Sequence, residues 1–213
     1  MSTALSAKKR RADLNRGGTN AYDRTTDAKS GIMAPSPGTG HWRSVLKTSE
    51  AHRDELILAD DAALLSACSV ETHRASGPGG QRRNKVETAV RLTHRETGLS
   101  VTAADSRSQA QNKTKALSRM RRRLATGLRR PFEPKTAGEA FHTGVRAGVR
   151  SRERLLALAA ALDAVEAHEG RMSDAAGSLG VSTAALSKAL REDKDAWTEL
   201  QRMRARHKLP LLR

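Results

Sequence analysis

Between Ser76 and Lys85 the chain reads Ser-Gly-Pro-Gly-Gly-Gln-Arg-Arg-Asn-Lys, joining backbone freedom to one amide side chain and dense positive charge. Gly79 and Gly80 can take positive-φ conformations closed to other residues. They also let the main chain approach a partner with no Cβ in the way, so that a peptide N–H could meet a reacting atom. Pro78, between Gly77 and Gly79, stiffens the approach by fixing its own φ. The Gln81 side chain is neutral and cannot serve as a strong base at pH 7. Arg82, Arg83, Asn84 and Lys85 follow at once, which suits a loop that reaches into RNA. Taken alone, the stretch is better read as a flexible turn or a phosphate cradle. No Lys-Ser/Thr pair stands at P-loop spacing, which argues against nucleoside triphosphate binding.

Elements on both sides must hold such a loop in place. A short helix is expected from Asp60 to Leu65. Cys68, Val70 and Thr72 then alternate with Ser69, Glu71 and His73, the pattern of a half-buried strand leading into the glycines. Beyond the loop, Val90 and Leu92 share one face, Arg95-Glu96-Thr97-Gly98 makes a turn, and Leu99, Val101 and Ala103 resume the alternation as a β-hairpin. Gly98 is the positive-φ residue of that turn. Asp105 or Ser106 is the expected cap of a helix with Leu117, Met120, Leu124 and Leu128 at helical spacing. Arg119, Arg121, Arg122 and Arg123 project from its other sides as a basic surface suited to phosphate.

Pro131 and Pro134 are expected to end that helix and open a linker over 131–150. A helical unit is expected over 151–213. Leu155, Leu158, Leu162 and Val165 predict an amphipathic helix stopped near Gly170. The stretch from Ala175 to Leu190 has the pattern of a helix-turn-helix: Ala176 permits close approach, Gly180 makes the turn, Ser182 caps the second helix, and Val181 and Leu186 fill the shared core. Trp197, Leu200 and Met203 would pack a last helix against it.

The balance of 39 Lys and Arg against 23 Asp and Glu gives the 213-residue chain a formal charge of +16, which favours a polyanionic partner. Residues 1–50 are rich in Lys, Arg, Ser, Thr and Gly without a sustained apolar period, and are expected to form a disordered basic arm. Met33 could be an alternative start. No apolar run is long enough to span a bilayer. The single cysteine, Cys68, excludes an intramolecular disulfide and is expected to be a small buried strand residue in a reducing compartment. The histidines lack metal-ligand spacing and are expected at the surface or against RNA, so neither a metal nor a cofactor is expected. Few aromatic residues are present, which disfavours stacking platforms for single-stranded bases.

Residues 74–124 resemble the catalytic domain of class I peptide chain release factors, and the shorter ribosome-rescue factors that carry this domain without a decoding domain. The resemblance lies in the Gly-Pro-Gly-Gly-Gln loop, Asn84-Lys85, the strand Ala89-Val90-Arg91-Leu92, the Thr97-Gly98 turn, Arg107-Ser108-Gln109, and Asn112-Lys113. Three separated motifs in register are far more specific than a lone Gly-Gly-Gln. The fold implied is α+β: a small mixed sheet, a long helix and a protruding loop over 51–130, followed by the all-α unit.

The resemblance implies that the loop enters the peptidyl transferase centre and promotes hydrolysis of the ester between nascent peptide and tRNA. Gly79 and Gly80 would supply geometry. The Gln81 main-chain N–H would stabilise the tetrahedral oxyanion or the leaving ribose hydroxyl, one such donor being worth roughly 3 kcal/mol of barrier. The Gln81 side chain would position water and could be methylated by a dedicated methyltransferase. Contacts to large-subunit rRNA and peptidyl-tRNA are implied for Gly77, Pro78, Arg82, Arg83, Asn84, Lys85, Arg107, Ser108, Gln109, Asn112, Lys113, Arg121 and Arg122. Arg82 and Arg83 depart from the pair often found there and add charge.

Residues before position 60 cannot build domains that read stop codons, so codon-independent rescue by a cytoplasmic monomer is the expected activity. The alternatives are a nucleic-acid-binding regulator using the helix-turn-helix, and a ribosome-binding protein that uses the loop only to dock.

Overall fold

Asp60 begins the ordered path toward the loop, its carboxylate accepting a hydrogen bond from the Ala63 N–H at 2.7 Å and so capping a short helix. The computed structural model describes residues 52–74 and 87–212; the basic arm expected over 1–50 lies outside them. Helix α1 covers residues 52–58 and α2 is Asp61–Ser66. Three strands follow: β1 (Cys68–His73), β2 (Ala89–His94) and β3 (Ser100–Ala103). They form a sheet in the order β1-β2-β3, with Cys68 opposite His94, His73 opposite Ala89, and Leu92 opposite Val101.

The sheet described is antiparallel throughout, where a mixed one was expected. The physical reason lies in the pairing: a tight hairpin joins β2 to β3, and β1 runs opposite to β2 with His73 facing Ala89, an arrangement that requires no crossover. Gly98, at φ 68°, closes the hairpin, and its N–H donates to the His94 carbonyl at 2.9 Å.

Helix α3 (Gln109–Gly127) lies across one face of the sheet. Leu117, Met120 and Leu124 bury themselves against Val90, Leu92, Val101 and Ala103, together with Ile57 of α1 and Leu64 of α2. The helix is capped by Ser108, whose hydroxyl accepts from the Gln111 N–H at 3.3 Å, and not by Asp105 or Ser106. Those two fix the approach instead: Asp105 takes both terminal nitrogen bonds of Arg119 Nη2, at 3.0 and 2.8 Å, and the Ser106 hydroxyl accepts from the Ser108 N–H.

Residues 131–150, expected as a linker, hold helix α4 (Pro134–Arg146). Pro134 occupies the first turn, where a missing N–H costs nothing and the fixed φ suits helix entry. Helix α5 (Arg152–Ala167) is buried almost continuously from Ala157 to Val165, so it is enclosed on more sides than the amphipathic helix expected from its leucines. Its alanines are small enough for neighbours on every side. Ala159 joins the sheet cluster, while Leu158, Leu162 and Val165 join a second cluster built on α4, α6 (Met172–Ser178), α7 (Thr183–Arg191) and α8 (Lys194–Arg206).

The second cluster contains the expected helix-turn-helix elements. Gly180 has φ 70°, the Val181 N–H donates to the Ala176 carbonyl at 3.0 Å, and the Ser182 hydroxyl accepts from the Ala185 N–H at 3.2 Å. Leu186, Leu200 and Met203 are buried and Trp197 packs at the margin, with the Arg191 guanidinium 4.8 Å above its ring. Among the described residues no helix is long and apolar enough to cross a membrane.

A buried ionic seam joins the clusters. Arg53, only 2% exposed, donates to Asp163 at 2.9 Å and to the Leu128 carbonyl at 3.1 Å. Arg129 reaches the same carboxylate at 3.4 Å, and Arg130 pairs with Asp54. Burial pushes the Asp163 carboxyl up, against the opposing pull of Arg53 and Arg129, and brings Arg129 down to about 10. Both shifts point the same way: desolvation outweighs attraction here.

Candidate functional site

Residues 75–86 lie outside those described, and with them Gly77, Pro78, Gly79, Gly80, Gln81, Arg82, Arg83, Asn84 and Lys85. The supports on either side are described. The last strand pair before this segment is His73 with Ala89, so the chain leaves β1 and re-enters β2 at neighbouring points of one sheet end. Arg74 and Glu87 face each other there at 3.7 Å, both well exposed, which makes theirs a weak contact.

A stronger anchor comes from α3. Asn112 is fully buried, and its Nδ2 donates to the Thr88 carbonyl at 2.7 Å and to the Ser106 carbonyl at 2.8 Å. Its Oδ1 accepts from the Ser106 N–H at 2.9 Å. The start of β2, the β3–α3 connection and the first turn of α3 are thereby tied at one side chain. The Ser106 hydroxyl adds a bond to Gln111 Oε1 at 2.6 Å.

The residues expected to touch RNA therefore divide. Arg107, Gln109 and Lys113 are exposed around the N-terminal end of α3, within a turn or so of the Asn112 anchor. Ser108 is occupied as the helix cap. Asn112 faces inward. Arg121 also turns inward: its side chain is 7% exposed, paired with Asp61 at 2.8 Å and bonded to the Ala59 carbonyl at 2.8 Å. It secures α1 and α2 to α3 and is not available as an outward phosphate contact. Arg122 stays outside, 3.5 Å from Asp193 at the start of α8.

Two groups at this end carried no expectation of their own. Lys115 is exposed on α3, and the Thr88 main-chain carbonyl is the acceptor that fixes the return of the chain. A charged residue on a helix is visible in sequence; a main-chain acceptor has no sequence signal.

The other titratable groups of the sheet are structural. Cys68 is 1% exposed and burial raises its thiol pKa, which Arg95 only partly offsets. His94, expected at the surface or against RNA, is buried opposite Cys68, its Nδ1 2.9 Å from the Thr97 hydroxyl, and burial lowers its pKa. An imidazole can fill a strand's inner position once a local hydroxyl satisfies one ring nitrogen. Among the described residues no group of His, Cys, Asp and Glu is arranged to hold a metal.

A family model for the RF-1 domain matches residues 65–159, from α2 through the sheet, α3 and α4 into α5. These residues belong to the class I release factor catalytic domain family. Similar proteins are named as peptide chain release factors. Peptide chain release factor 1 of Geobacter metallireducens is 41% identical over 70 residues, covering 33% of this chain and 20% of that protein. Its counterpart in Rubrobacter xylanophilus is 38% identical over 109 residues, covering 46% and 30%. Peptide chain release factor 2 of Paramagnetospirillum magneticum is 49% identical over 59 residues, covering 28% and 16%. The chain thus spans at most 30% of the length of these relatives.

Proposed function

We propose that the protein hydrolyses the ester of peptidyl-tRNA in the peptidyl transferase centre, without reading a codon, and so rescues stalled ribosomes. The observation that carries this reading is the Gly77–Gln81 sequence placed between β1 and β2 inside the RF-1 segment. Water attacks the ester carbonyl, the carbonyl oxygen gains charge, and the ribose hydroxyl leaves. The Gln81 N–H is assigned to that developing charge or to the leaving oxygen. Gly79 and Gly80 allow the main chain to come close, and the Gln81 side chain selects water. Arg82, Arg83, Asn84 and Lys85, together with Arg107, Gln109, Lys113 and Arg122, supply the cationic and polar contacts to large-subunit rRNA. Methylation of the Gln81 amide by a methyltransferase belongs to the same proposal, as do action as a monomer and a place in the cytoplasm with the ribosome.

The test is peptide release from ribosomes carrying peptidyl-tRNA with an empty, truncated, sense or stop-codon A site. Release from the empty and truncated complexes is expected at similar rates whatever codon preceded the stall. Gln81→Ala should retain ribosome binding; Gly80→Val should lose about a hundredfold or more in release rate. Full release by Gly80→Val would remove the assignment.

One observation favours a second reading. Helix α7 carries Lys188 and Arg191 exposed on a capped helix of the α6–α7 pair, the arrangement a duplex-binding regulator would use. Its other outward residues are small, and Glu192 lies beside them, so base recognition has little to work with. Base-specific duplex binding that Lys188→Ala abolishes would favour this reading over the first.

A further inference from the structure

We infer that Asn112 is a positioning residue for the release reaction, holding the base of the loop and not touching RNA. The inference rests on the release reading of the Gly77–Gln81 loop.

Both N–H bonds of the Asn112 amide are used, one on Thr88 and one on Ser106, and its oxygen takes the Ser106 N–H. All three partner atoms are main chain. A side chain that binds only backbone sets where the chain runs, whatever residues the chain carries. The ladder between β1 and β2 ends at His73 and Ala89, and Thr88 is the next residue out. At that point strand pairing has stopped and Asn112 takes over, linking the chain to a helix whose same buried face is locked into the sheet core through Ala116, Leu117 and Met120. The exposed Arg74–Glu87 pair on the same end holds far less firmly.

Few side chains could replace this amide. Asp has the shape but no donors, and would set a carboxylate against two carbonyls. Leu fills the space and leaves two carbonyls and one N–H without partners, a costly arrangement in a buried site. Gln adds a methylene that moves the amide off all three partners.

Misplacement of a reacting group by about 1 Å can cost roughly a hundredfold in rate, whereas ribosome binding draws on many cationic contacts. A defect at Asn112 therefore falls on the chemical step.

The experiment uses the full chain with Asn112→Asp and Asn112→Leu, read below the melting temperature of each. Peptide release from ribosomes with truncated mRNA should show kcat reduced about tenfold to a hundredfold, with the half-saturating factor concentration shifted by less than about threefold. Lys113→Ala, next in sequence but exposed, should show the opposite split. In parallel, amide hydrogen exchange at residues 87–91 should accelerate in the free protein while α8 keeps its protection. A raised half-saturating concentration with unchanged kcat and exchange would make Asn112 an RNA contact and overturn the proposal. So would unchanged exchange in Asn112→Asp, the isosteric variant used if Asn112→Leu does not fold. If the unaltered protein releases no peptide from any complex, the release reading fails, while exchange still reports whether Asn112 secures the Thr88 backbone.

Discussion

The two apolar clusters of this chain are closed to very different degrees. In the helical cluster, Ala157, Ala161, Ala164, Ala175, Ala176, Ala189 and Ala196 stand among leucines, so helix backbones approach closely and central α5 is enclosed. In the sheet cluster α3 covers only one face, and β1 is buried at Cys68 but exposed from Val70 onward. Val70 faces the same way as Leu92, yet is 45% exposed. Packing is thus densest in the helical half and thinnest along the end of β1 that leads toward residues 75–86, while the facing start of β2 stays buried at Ala89 and Val90. Local stability is commonly lowest at such places, because a segment that must meet a large partner cannot also be covered by its own fold.

The seam between the clusters offers the largest way to break this contrast. Arg53→Ala would leave Asp163 buried with a weakened set of cations, and should cost about 3–5 kcal/mol in urea unfolding. A loss below about 1 kcal/mol would mean that apolar contacts alone join the two halves.

Within the helical half, Gly144 marks a close approach of α4 to α5. A Cβ there would fall on the Glu153 carbonyl and the Ala157 methyl. Gly144→Val should cost about 1–3 kcal/mol or more, and a neutral result would show the enclosed half to be looser than its packing implies.

Acid should act first on the sheet half through His94. Its folded pKa lies below the ordinary value of 6.5, because burial opposes the charged ring. The stabilising contribution is complete above that ordinary value, and declines as pH falls from it toward the folded pKa, because only the unfolded chain then takes up the proton. His94→Gln should flatten the stability curve over that interval, measured by denaturant midpoints. An unaltered slope would place the sensitivity elsewhere.

The smallest effect is expected on the exposed strand. Val70→Thr should change stability by no more than about 0.5 kcal/mol, since little apolar surface is lost. A larger cost would mean that β1 is covered more fully than its exposure suggests.

Much of the sheet was legible because period-two alternation at Val90, Leu92, Leu99, Val101 and Ala103, with glycine at a tight turn, leaves few alternatives. The α3 stripe and the Ser182 cap were legible for similar local reasons. What escaped depends on neighbours distant in sequence. Pro134 reads as a breaker until it is placed at a helix start, where it is tolerated. The burial of α5 depends on helices packed against its alanines, which counting leucines alone does not reveal. Arg121 belongs to an arginine run, and only its contact with Asp61 and the Ala59 carbonyl turns it inward. Asn112 was expected against RNA only because the resemblance implied it, and nothing local in the sequence shows which way its amide turns. Its three main-chain partners come from two segments that meet only in the fold.

Cys68 has a practical consequence. The chain's single thiol is shielded between β1 and the core, and burial keeps it protonated at neutral pH, so maleimide-type reagents should leave it almost untouched. A second cysteine placed on an exposed helix, such as Ala185→Cys on α7, would then be the sole reactive handle. A fluorophore or crosslinker attached there would report whether the helical end approaches a ribosome, with the native thiol left in place.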